Sequence, residues 1–66
     1  METIAQKHCR LAEESKAVIG YVLPEIARHA DGDALSGHKR PGGYELGFAD
    51  GSMLFMNAKT HDLTLL

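Results

Sequence analysis

The chain has 66 residues, seven Lys plus Arg against nine Asp plus Glu for a formal net charge of −2, and one cysteine. That is a single domain, residues 1–66, close to the smallest size at which one core offsets chain entropy without a metal, a disulfide or a partner. Charges of both signs are mixed along the chain, which argues against a polybasic membrane anchor and a strongly basic nucleic-acid binder, and the lone Cys9 excludes an internal disulfide and favours a reduced, cytoplasmic setting.

No apolar run approaches the ~18 residues of a membrane span. The first ten residues carry Glu2, Lys7 and Arg10 in place of a signal peptide's apolar core, so a soluble protein with no membrane partner is expected.

Thr3 followed by Gln6 fits a capping box, which predicts a helix starting near Ile4. Ile4, Cys9, Leu11, Ala12, Val18, Ile19 and Val22 approximate an apolar stripe, and Lys7, Arg10, Glu13, Glu14 and Lys16 populate the other side. Arg10 and Glu14, four apart, sit side by side on a solvated face. Cys9 on the apolar stripe reads as a small buried hydrophobe.

Gly20 can end a helix in a left-handed cap and Pro24 suits the first turn of a new one. Two helices over 4–19 and 24–30 are therefore expected, with a single helix kinked at Pro24 as the alternative. Leu23, Ile26, Ala27 and Ala30 continue the apolar stripe, and Asp31, Gly32 and Asp33 are expected to end the helical part, 3–30. Residues 31–43 turn to Gly, Asp, Ser, His, Lys, Arg and Pro, a loop composition.

Residues 44–66 read as a three-stranded meander. Asp50-Gly51 is a strong hairpin signal between two apolar stretches. With Asp50 and Gly51 as a two-residue loop, Phe48 opposes Met53 and Leu46 opposes Phe55. One face then collects Tyr44, Leu46, Phe48, Met53 and Phe55, and the other holds Glu45, Gly47, Leu54 and Met56. A four-residue loop over 58–61 sets Met56 against Leu63 and Leu54 against Leu65, whereas a five-residue loop over 58–62 sets Phe55 against Leu65 and moves every side chain of the last strand to the other face. Helices first and strands afterwards give an α+β fold, ααβββ, with one or two helices packed on a three-stranded antiparallel meander.

The run Met53-Leu54-Phe55-Met56 breaks the alternation expected of a sheet with one wet face, which suggests a strand covered on both sides. One helical layer covers one face, so the second face, Leu54 and Met56 with Leu63 and Leu65 and flanked by Glu45, is expected to bind a protein partner or a second copy as a homodimer through the sheet. Methionines suit such adaptable surfaces.

Chemistry is sparsely represented. His8, His29, His38 and His61 are scattered over different elements, and His8 and Cys9 point about 100° apart on a helix, which argues against a metal site. Ser15, Ser36, Ser52 and Cys9 lie in no nucleophile signature. Gly42-Gly43 lacks the Lys-Ser or Lys-Thr of a nucleotide-binding loop. No catalytic, cofactor-binding or metal residue is assigned, and a non-enzyme without cofactors is expected.

The one basic concentration, His38-Lys39-Arg40 between glycines, could meet a nucleic acid together with Tyr44 and Lys59. The leading expectation is a small protein-binding module acting as regulator, inhibitor or assembly subunit, a role common among short free-standing chains, including those of mobile elements. A nucleic-acid-associated module is the alternative.

Overall fold

The structure, a computed structural model, describes residues Met1–Leu66. Two helices, α1 (Ile4–Ile19) and α2 (Pro24–Asp33), precede four strands, β1 (Ser36–Arg40), β2 (Gly43–Gly47), β3 (Met53–Asn57) and β4 (Leu63–Leu65). The strands form one antiparallel meander in the order β1-β2-β3-β4. The class is α+β, with four strands where the sequence suggests three.

The capping box at Thr3 forms as expected, and the first four amides of α1 are all satisfied. Gln6 N–H donates to Thr3 Oγ1 (3.0 Å) and Lys7 N–H to the Thr3 carbonyl (2.9 Å). Ile4 N–H donates to Asp50 Oδ2 (2.9 Å) and Ala5 N–H to Ser52 Oγ (3.1 Å), so the tip of the β2–β3 hairpin completes the helix N-terminus. Gly20 closes α1 in the left-handed region, φ 84°, its amide donating to the Lys16 carbonyl. The helical region is thus broken there, and Pro24 opens α2.

Helix α2 runs to Asp33, three residues beyond the expected end at Ala30. Asp33 is held by His8, whose Nε2 lies 2.9 Å from Asp33 Oδ2. Side chains Ala5, His8 and Ala12 of α1 and Ala27 and Ala30 of α2 are buried. Small residues let α1 lie close over β3 and β4 and against α2. Val18 and Ile19, placed on the apolar stripe by spacing, are exposed, because the last turn of α1 runs past the core.

The segment 31–43, expected as loop, contains the end of α2 and all of β1. Pro41 and Gly42, the latter at φ 85°, form a two-residue turn that pairs Arg40 with Gly43. Every residue of β1 is exposed, so no apolar alternation marks the strand in the sequence.

The β2–β3 register also differs from expectation. Phe48 and Gly51 bond across a three-residue loop, Ala49-Asp50-Gly51, with Gly51 at φ 83° and Phe48 N–H donating to the Ser52 carbonyl. Asp50 accepts from the Ser52 amide and hydroxyl, which fixes this loop. Leu46 therefore opposes Leu54, Tyr44 opposes Met56 and Glu45 opposes Phe55. Met53 and Phe55 move to the face away from the helices, where the Phe55 ring lies across Gly43.

The β3–β4 loop spans 58–61, the four-residue alternative, and Met56 opposes Leu63 while Leu54 opposes Leu65. Asn57 Oδ1 accepts from the amides of Lys59 and Thr60, and His61 takes the left-handed conformation, φ 64°. The core gathers Val22, Leu46, Phe48, Leu54 and Leu63 beneath the helical alanines.

Candidate binding surface

The residues expected to meet a partner through the sheet do not share a free surface. Leu54 and Leu63 are buried under α1, Met56 packs partly against the same core, and only Leu65 is half exposed. Glu45 is on the opposite face, where its carboxylate binds Arg40 (2.9 Å). The physical reason is the register: one residue of slip in β3 turned Leu54 and Met56 inward. Their apolarity is satisfied within the chain and no longer calls for a second copy.

The second predicted group fares differently. Lys39, Arg40, Tyr44 and Lys59 line one open groove of about 380 Å³ at the β1–β2 turn, with Gly43 and Asn57 between them. Lys39 and Tyr44 are cross-strand neighbours, so their side chains stand on one face. His38 pairs with Glu45 on the other face and is not part of this groove.

Tyr44 also borders a second groove, about 470 Å³, between α2 and the sheet, which adds Arg28, Asp31, Met56 and His61. Arg28 was not legible in the sequence, because its approach to Tyr44 depends on how α2 lies over the strands. His61 reads in the sequence only as a loop residue.

The charges around Tyr44 are less balanced than the net charge suggests. Arg10 is paired with Glu2 and Glu14, Lys16 with Asp62, and Arg40 with Glu45. Of the four remaining cations, Lys7, Arg28, Lys39 and Lys59, three border the grooves that meet at Tyr44. None of these three has a carboxylate within ion-pair distance, so each keeps its charge available to a ligand.

The groups able to do covalent chemistry lie elsewhere. Burial, with a smaller contribution from the Glu13 carboxylate, pushes the Cys9 thiol up and keeps it from the thiolate a nucleophile needs. His8 and Asp33 form an imidazole–carboxylate pair, but His8 is 3% exposed and stacks on Phe48 with ring centroids 5.5 Å apart. A carboxylate only accepts, so Nε2 carries the proton of that bond, and Nδ1 is buried without a partner. No hydroxyl or thiol hydrogen-bonds to a histidine, and no three His, Cys, Asp or Glu side chains converge to hold a metal ion. No helix is long and apolar enough to cross a membrane. Comparison with known proteins finds no family model, curated protein or solved structure that matches this chain.

Proposed function

We propose that the chain is a small non-enzymatic module that binds another protein through the part of its sheet that the helices leave open, and so serves as a regulator, inhibitor or assembly subunit. The observation that carries this reading is the mismatch between sheet and cover. Helix α1 packs across β3 and β4, whereas β1 is exposed along its whole length and the cations unpaired within the chain gather around the half-exposed Tyr44. An aromatic ring flanked by long cations is an anchor common at protein interfaces.

The test compares the immobilised wild type with a Lys39→Glu, Tyr44→Ala variant of equal melting temperature, each exposed to native-cell extract. The reading expects a protein retained by the first and lost by the second. An identical retained set from both would remove it.

A second reading, nucleic-acid association, draws on one specific arrangement: Lys39, Lys59 and Tyr44 line the same groove, two cations for phosphates beside one ring for a base. Two contacts on a single strand give a salt slope of only about −1.4 in log K against log salt. Fluorescence anisotropy with a single-stranded oligonucleotide at low salt tests it, and the absence of binding there excludes it.

A further inference from the structure

We propose that β1 is a strand-addition site for an extended, acidic protein segment, one that sets an apolar side chain over Gly37 and a carboxylate against Lys39. The proposal rests on the binding-module reading and names the partner's chemistry.

β1 is the end strand of the sheet and bonds only to β2. Its Pro41-Gly42 turn closes the ladder at Arg40 and Gly43. Main-chain groups alternate along an antiparallel ladder, so Ser36, His38 and Arg40 direct theirs toward β2, while Gly37 and Lys39 direct theirs outward. Two N–H and two C=O groups therefore stand in a row at the free edge, with solvent as their partner. This is the main-chain arrangement that an added strand completes.

The side chains of the same two residues specify what that strand carries. A Cβ at Gly37 would stand 3.5 Å from Leu46 Cδ2, so the glycine lies at the edge of the core with no side chain of its own above it. Leu35, 75% exposed, adjoins it at the start of the strand. Lys39, two residues on and on the same face, has no carboxylate, because Glu45 is engaged by Arg40 on the other side of the sheet. An apolar residue and an acidic one, two apart in an extended segment, satisfy both positions. A second copy of the chain offers no such match: its β1, Ser-Gly-His-Lys-Arg, has no acidic residue and brings another Lys39 to the seam.

The experiment titrates the full ¹⁵N-labelled chain at low salt with a blocked heptapeptide, Thr-Ile-Thr-Glu-Thr-Val-Thr. The controls are its Glu-to-Lys counterpart and a version N-methylated on alternate amides, which keeps the side chains but cannot extend a sheet. The proposal expects the Gly37 and Lys39 amides to shift and gain exchange protection while His38, already bonded inward, does not. It expects the acidic peptide to bind about tenfold tighter than the lysine peptide, with Lys39→Glu reversing the preference. Gly37→Pro removes one outward N–H without touching the β1–β2 ladder and should abolish binding; the N-methylated peptide makes the same test without altering the protein.

Equal affinity for the three peptides overturns the proposal. So does concentration-dependent protection of Gly37 without peptide, which would mean that a second copy closes the edge. An oligonucleotide that binds through Lys39 while the peptides do not assigns the site to phosphate instead. If retention of an extract protein still depends on Lys39 and Tyr44 but no peptide protects Gly37, the binding-module reading survives and strand addition falls.

Discussion

The β2–β3 register can be tested by truncating two adjacent residues. Leu54 is fully buried between Leu46 and Leu65 on the helix-facing side, and Met53, next to it, is 37% exposed on the other. Leu54→Ala removes buried carbons and leaves a cavity at the centre of the core, at a cost of about 2–5 kcal/mol. At roughly 0.05–0.15 kcal/mol per residue, a domain of this length has about 3–10 kcal/mol in total. The substitution should therefore remove about a fifth or more of the stability. With about 4–8 °C lost per kcal/mol in small domains, the melting temperature should fall by at least ~8 °C. Met53→Ala should change stability by less than about 1 kcal/mol. Urea unfolding followed by circular dichroism measures both. In the two-residue-loop register Met53 would share the Leu46 face and Leu54 would be outside, so a larger loss from Met53→Ala would refute the register and the placement of the core.

Gly43→Ala should destabilise by about 2 kcal/mol or more, because the new Cβ would clash with the Met56 carbonyl oxygen, a backbone atom that cannot move aside; urea midpoints of variant and wild type decide it. Hydrogen bonds from the Ser52 hydroxyl, then the Ile4 and Ser52 amides, hold the Asp50 carboxyl below the usual carboxylate range. A folded pKa below the unfolded one gives stability that is complete above about pH 4 and lost as pH falls through the folded value, so Asp50→Asn should flatten the acid limb of a stability–pH profile. His8→Leu should leave stability within about 1 kcal/mol, since losing the Asp33 bond is offset by removing a buried unpaired nitrogen, whereas His8→Ala should cost about 2 kcal/mol through the cavity under Phe48; a marked loss in the leucine variant would show that Asp33 is more than a tether.

What the sequence made legible was local. Thr3, Gln6, Gly20 and Pro24 act within a few residues of themselves, so the start of α1 and the break before α2 could be read directly. Asp50-Gly51 announced a hairpin but not its length, because the loop is set partly by Asp50 and Ser52 reaching the amides of Ile4 and Ala5, far away in sequence. β1 is illegible for a different reason: an edge strand that buries nothing needs no apolar residues, and Pro41-Gly42 is its only signature. Lys39, Arg40, Tyr44 and Lys59 converge largely because neighbouring strands put them there, whereas Arg28 joins them only through helix packing.

The contact between the hairpin tip and the first turn of α1 has a consequence for how the chain assembles. A helix of 16 residues is marginal in isolation, and two of its four leading amides wait for partners 46 and 47 positions downstream. Closing that span costs chain entropy before the contact returns anything, so the first turn should become fully protected only as the hairpin docks. The two halves, unlike in secondary structure, would then order together, and neither the helix nor the hairpin would be expected to persist if the chain were divided between them.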